Sequence, residues 1–162
     1  MSIKSPEVLL RPFTLDDVDA FYQIAHNREV KQFVPYAYTG FRRTAKELIR
    51  NYITYDFTND FYYAICKSDT NELIGAILAY RLPNTKILDT SYFIGKEHRG
   101  KSYMMKALRL FISHIAKETN YDYLRFVVSP YNKISLGIMF ELGLADNGDE
   151  MVYFYPLKWN RK

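Results

Sequence analysis

The chain has 162 residues, the usual size of one compact domain, with 48% apolar residues and only seven glycines and six prolines, which excludes collagen-like and disordered compositions. A formal charge of +4 and a pI near 9.0 favour acidic partners without choosing among nucleic acid, a membrane surface and a phosphorylated ligand. The lone Cys66 cannot close a disulfide within the chain, and with no bilayer-spanning apolar stretch and no secretory leader at Met1 the expectation is a cytoplasmic protein without a membrane segment.

In chain order, Val8 to Arg11 reads as a short strand stopped by Pro12, which cannot donate to a ladder. Thr14 and Asp17 form a capping box, and Leu15, Val18, Tyr22 and Ala25 predict an amphipathic helix over Asp16 to His26. Thr39 to Phe41 is loop, followed by a second helix from Ala45 to Tyr52 that uses Leu48, Ile49 and Tyr52. The period then changes to that of strands: Phe61 to Cys66 and Leu73 to Tyr80 form a hairpin across the polar Ser68 to Asn71, and Ile87 to Ile94 follows the Pro83-Asn84 turn. Gly95 to Gly100 breaks the meander, and Met104, Leu108, Phe111, Ile112 and Ile115 predict a helix over Ser102 to Lys117. Asp122 to Val128 is a strand, Lys133 to Leu142 a helix closed by Gly143, and Met151 to Leu157 the last strand. The fold class expected is α+β, one domain over residues 1–162, with helices flanking a mixed central sheet that includes a strand, helix, strand crossover through Ser102 to Lys117.

A loop entering a helix leaves its first amides without intrahelical acceptors, and the aligned peptide dipoles add positive potential there. Arg99, Gly100, Lys101 and Ser102 therefore suit an anion cradle; the bland alternative is a helix start with ordinary basic residues facing water. Neither GxxxxGK[ST] nor GxGxxG occurs, which excludes a triphosphate loop and a dinucleotide fingerprint. Asn132, at the start of the later helix, suits either the amides of an extended ligand or an N-cap, and Ser135, three residues on, shares its face.

The run Tyr92-Phe93-Ile94-Gly95-Lys96-Glu97-His98-Arg99-Gly100-Lys101-Ser102-Tyr103-Met104 resembles the acyl-CoA-binding segment of the GNAT acetyltransferases, in the branch of the ribosomal-protein N-terminal acetyltransferases. That family's signature is Gln or Arg, two residues, Gly, one residue, then Gly or Ala. Arg99 matches, while Ser102 and Met104 occupy the two small positions, so a cradle built here calls for helical dihedrals at both. Asn132-Lys133-Ile134-Ser135 and Ile138 to Leu144 are similar to the family's second motif, with Met139 where a tyrosine acid is common, Glu141 where a basic residue is common and Leu144 for the usual aromatic.

The resemblance implies an acyl-CoA N-acyltransferase fold and acetyl-CoA as acyl donor, held by the amides of Phe93 and Ile94, by Arg99, Gly100, Lys101, Ser102, Tyr103 and Met104, and by Asn132. It implies direct attack by an amine, with Ser135 helping to protonate the leaving thiolate, and Tyr131 or another pocket tyrosine as the substitute. Asp89 maps near an acidic position that can accept the amine's proton through water; its other reading is a charged residue on the solvent face of a strand. Tyr36, Tyr38, Tyr52, Tyr55 and Phe57, with Asp56 and Asp60, fall in regions that shape the acceptor side, for a protein N-terminus or a small-molecule amine. Cys66 has no neighbouring histidine and is no nucleophile, and no ligand spacing supports a metal. A monomer or homodimer is expected. The alternatives are a noncatalytic acyl-CoA-binding regulatory protein and a basic nucleic-acid-binding module, the latter without any recognition motif in the sequence.

Overall fold

The computed structural model describes residues 2–145 and 151–161, so Met1, residues 146–150 and Lys162 of the expected domain lie outside the described residues. Among those described, seven strands form one sheet in chain order: β1 (Ile3–Lys4), β2 (Val8–Pro12), β3 (Asp60–Lys67), β4 (Leu73–Arg81), β5 (Ile87–Ile94), β6 (Tyr123–Val127) and β7 (Val152–Pro156). Neighbours are antiparallel except β5 and β6, which are parallel and so require a crossover. Helix α4 (Tyr103–Glu118) supplies it, as the apolar period over Ser102 to Lys117 predicts.

The two faces of the sheet carry separate cores. On one, α4 lays Ala107, Leu108, Phe111, Ile112 and Ile115 against Leu10, Ile65, Ile77, Leu88 and Leu124. On the other, α1 (Val18–Ala25), α2 (Arg28–Phe33) and α3 (Arg42–Thr54) cover Ala64, Cys66, Ala76, Leu78 and Phe93. Each large side chain removed from water in this way stabilises the fold by about 1.5–3 kcal/mol. The alternation along β5 thus sends Leu88, Tyr92 and Ile94 toward the α4 side and Phe93 toward α1 to α3.

The first helix differs from expectation in phase. Leu15–Asp17 winds as a 3-10 turn, so the α-helix starts at Val18 and buries Val18, Phe21, Ile24 and Ala25, while Leu15 stands 53% exposed. Asp17 fixes this start: its carboxylate accepts from the Thr14 N–H at 2.8 Å and from both terminal nitrogens of Arg11 at 2.8 Å, with Asp17 buried and Arg11 half-buried. Helix α2 has no counterpart in the sequence reading, because six residues are too few to show a period; Asn27 caps it by accepting from the Val30 N–H at 2.9 Å.

Helix α5 (Lys133–Glu141) ends as foreseen. Gly143 takes φ +82°, its N–H donates to the Phe140 carbonyl, and the Leu144 N–H donates to the Met139 carbonyl, the two bonds of a Schellman cap. No helix among the described residues is long and apolar enough to cross a membrane.

Candidate functional site

β5 and β6 run together only at Ile87 with Tyr123, Leu88 with Leu124 and Asp89 with Arg125; beyond Asp89, β5 continues to Ile94 without β6 beside it. Gly75 on β4 lets β5 press inward at this point, since a Cβ there would collide with the Phe93 carbonyl oxygen. The Phe93 carbonyl therefore faces β4, as does the Gly95 N–H, which donates to the Ile74 carbonyl at 2.7 Å. Alternation turns the main-chain donors of Tyr92 and Ile94 toward the gap left by β6. Of the two amides expected at the thioester, Ile94's is placed in the gap and Phe93's is turned away. Gly75 and Tyr92 carried no role in the sequence reading; the signal for Tyr92 was its place on the same strand face as Ile94.

A cavity of about 330 Å³ occupies this gap, within the range of small-ligand sites. One wall is β5 and the start of α5, with Tyr92, Phe93, Ile94, Asn132, Ser135 and Ile138; the opposite wall is Glu29, Val30, Phe33 and Val34 from α2 and its exit. Arg99 and Met104 stand at the end nearest α4, and Tyr131 borders the other side. The structure thus brings together Phe93, Ile94, Arg99, Met104, Asn132 and Ser135, which lie far apart in the chain, and adds the α2 wall.

At the α4 end, Met104 is helical and buried at the first turn, as a cradle there demands. Ser102 is not: it is the N-cap with φ 63° and ψ 13°, left-handed, just after Gly100 at φ +75°. The family's glycine at this position thus corresponds to a conformation in which a serine costs roughly 1–2 kcal/mol more than glycine. The first intrahelical bond is from the Lys106 N–H to the Ser102 carbonyl at 3.1 Å, leaving the amides of Tyr103, Met104 and Met105 as the orphan donors of the helix start. Of the basic residues around it, Lys101 is exposed, Lys106 pairs with Glu7 at 3.6 Å, and Arg99 pairs with Glu29 of α2. That partner holds the Glu29 carboxyl below the usual carboxylate range. The sequence offered no sign of Glu29, whose position depends on how α2 packs.

At the α5 end, Asn132 is the N-cap: its Oδ1 accepts from the Ser135 N–H at 3.2 Å, so the side chain offers a ligand chiefly its two N–H donors. Ser135 is 9% exposed and lines the cavity, unlike the surface serine its position on a short helix would otherwise suggest. Met139 is 1% exposed and packs in the α4-side core, filling with sulfur and methylenes the place of the family's tyrosine.

Asp89 is not brought to the cavity. Its Oδ1 accepts from Arg125 at 2.7 Å on the face of β5 that also carries Ser91. Tyr36 stands 54% exposed as a residue but donates its hydroxyl proton to Ser91, and desolvation at that hydroxyl end, with Asp89 adding to it, moves the phenol above its ordinary range. Tyr62 packs against Tyr52 at a tilt and against Tyr55 edge-on. Of the other aromatics expected there, Tyr38 instead stacks on His26, and Phe57 packs on Phe61 and Tyr63. Burial pushes the Cys66 thiol up to about 11, which removes it as a nucleophile at neutral pH. Among the described residues no cluster of His, Cys, Asp or Glu can hold a metal.

The fold is shared with solved proteins of low identity. A GNAT-family acetyltransferase from Bacillus anthracis superposes with a TM-score of 0.84 at 16% identity, over 98% of this chain and 99% of that one. A ribosomal-protein-S5-alanine acetyltransferase from Vibrio fischeri gives 0.73 at 14% identity over 100% of each, and a nucleotide-linked sugar GNAT gives 0.78 at 20% identity over 99% and 94%. No curated protein sequence matches the chain. The family model described as the acetyltransferase (GNAT) domain matches residues 7–145, most of the chain, and with parted strands, cavity and helix start in their places the protein belongs to the GNAT acetyltransferases.

Proposed function

We propose that the protein transfers an acetyl group from acetyl-CoA to a primary amine, either a protein N-terminus or a small molecule, by direct attack. The observation that carries this reading is the cavity between the parted β5 and β6, which has Arg99 and a free helix start at one end and the buried Ser135 at the other. The cavity has room for an extended arm rather than a whole nucleotide, which suits a pantetheine chain inside and a pyrophosphate at the mouth. Arg99, the amides of Tyr103 and Met104, and the turn through Gly100 and Lys101 would hold the pyrophosphate, with the left-handed Ser102 outside the cradle; Asn132 and the Ile94 amide would hold the arm. Phe93 contributes its ring to the wall.

The chemistry needs a neutral amine whose lone pair forms the N–C bond while the C–S bond breaks and the sulfur leaves with the electron pair. The Ile94 amide stabilises charge developing on the carbonyl oxygen, as oriented donors in a low-dielectric site do. Ser135 donates to the departing sulfur and recovers its proton from solvent. Asp89, on the tyrosine-lined face with Ser91 and Tyr36, receives the amine's proton through water. The pairing of Asp89 with Arg125 holds its carboxylate in place on that face.

Acetyl-CoA titration followed by an amine panel, read by mass spectrometry of the product and by CoA release, tests the reading. Saturable binding with CoA release that depends on an added amine supports it. The buried Met139 in place of a tyrosine acid favours one rival, a noncatalytic acyl-CoA-binding protein, which would bind without releasing thiol from any amine tested. Absence of saturable binding at millimolar acetyl-CoA sinks both.

A further inference from the structure

Among the described residues two tyrosine hydroxyls, those of Tyr63 and Tyr92, are buried without a hydrogen-bond partner. They differ in surroundings. Tyr63 packs between Phe57 and Phe111 inside the core and does not line the cavity described above. Tyr92 sits on β5 with its ring edge-on to Phe126 and lines the same cavity as Ser135. A polar group left unpaired out of water costs about 1–3 kcal/mol, so one that borders a ligand cavity is accounted for when its partner forms with the ligand in place. The other buried hydroxyl on this cavity is that of Ser135, at the first turn of α5 and held there by Asn132. Burial pushes the Tyr92 phenol up to about 12, with Ser135 acting against that rise. Tyr92 therefore keeps its proton and has an O–H to donate.

We propose that Tyr92 is a positioning residue for the leaving group: with the ligand in place its phenolic O–H donates to the Ser135 hydroxyl oxygen and so turns the Ser135 O–H toward the departing sulfur. The inference rests on the acetyl-transfer reading given above. A serine hydroxyl rotates freely about its C–O bond, and one donor fixed behind it selects the rotamer that points into the cavity. The two hydroxyls in series also polarise one another, which strengthens the bond to a thiolate more than either alone.

The test uses the full chain and two ligands, CoA with its free thiol and acetyl-CoA, whose thioester cannot ionise. Their binding is measured from neutral pH into the range where the thiol ionises. If the two hydroxyls stabilise a thiolate, the affinity for CoA relative to acetyl-CoA rises with pH by roughly tenfold, the scale of a hydrogen bond to a charged group. In Tyr92→Phe and in Ser135→Ala that rise falls below about threefold, and the double variant loses no more than Ser135→Ala alone, because the two groups act as one unit. Tyr92→Phe keeps the ring on Phe126 and removes an unpaired hydroxyl, so its melting temperature is equal to the parent's or higher; a merely structural hydroxyl would lower it. A full pH-dependent rise in Tyr92→Phe overturns the proposal while leaving the acetyl-transfer reading intact, as does a wild-type ratio that does not change with pH. Binding of neither ligand overturns both.

Discussion

The two walls of the cavity were built by different means. The wall of β5 and α5 carries chemistry in motifs: the run into Arg99 and Gly100, then Asn132 and Ser135 at a helix start. The α2 wall, with Glu29, Val30, Phe33 and Val34, has no motif and a helix of six residues. Its one charged group, Glu29, nevertheless reaches across to Arg99. The lesson is that a site's donors can be set by local sequence while the competition for them is set by packing.

That contrast can be broken by substitution, beginning with the amino-terminal scaffold that carries α2. Asp17→Ala leaves the half-buried Arg11 without its carboxylate, with only Asn71 and the Pro12 carbonyl to accept from it, and removes the acceptor for the Thr14 N–H; urea unfolding is expected to show a loss of about 3 kcal/mol. A loss below 1 kcal/mol would mean that the pair does not organise the start of α1. On the motif-bearing wall the expected damage is to rate instead. Ser135→Ala lowers turnover about 10²-fold with acetyl-CoA affinity changed by less than about twofold. Unchanged turnover across pH would remove Ser135 from the chemistry.

The Glu29 and Arg99 pair joins the walls, and its two members are predicted to respond with opposite sign. Arg99→Gln weakens acetyl-CoA binding about tenfold through loss of a charged hydrogen bond. Glu29→Gln frees the guanidinium and tightens binding by about two- to fivefold, the range expected for a largely solvent-screened pair. Calorimetric titration that finds Glu29→Gln weaker than the parent would show instead that Glu29 holds Arg99 in place for the ligand. The smallest effect belongs to the turn: Ser102→Gly relieves the left-handed serine and stabilises the protein by about 1 kcal/mol, visible as a modest rise in melting temperature.

Much of the fold was legible because its elements are long enough to display a period. β5 matches its predicted range, and α4 and the β3–β4 hairpin differ from theirs by a residue or so at each end. The phase of α1 was misread because the 3-10 turn at Leu15 to Asp17 advances the chain differently from an α-helical one, which moves Leu15 out to solvent. β1, two residues long, and α2 were too short to show a pattern. In the site, Arg99, Met104, Asn132 and Ser135 were named from motifs and meet around one cavity. Phe93 was assigned its amide and contributes its ring, because the strand partner of each amide depends on register. Asp89 was placed by its position on a strand, and its pairing with Arg125 became visible only when β6 was laid beside β5.

The sequence by itself determined the order of the longer strands and helices, the crossover, the left-handed Gly143 cap and the residues able to bind an anion or donate a proton. Those follow from local periodicity and side-chain chemistry, which act over a few neighbouring positions. Only the tertiary structure decided that β5 parts from β6 after Asp89, that Ser102 turns left-handed, that Glu29 meets Arg99 and that Tyr92 has its hydroxyl buried at the cavity Ser135 lines. Each of these depends on which distant segment occupies the next space, and a contact between residues tens of positions apart leaves no period in the chain that makes it.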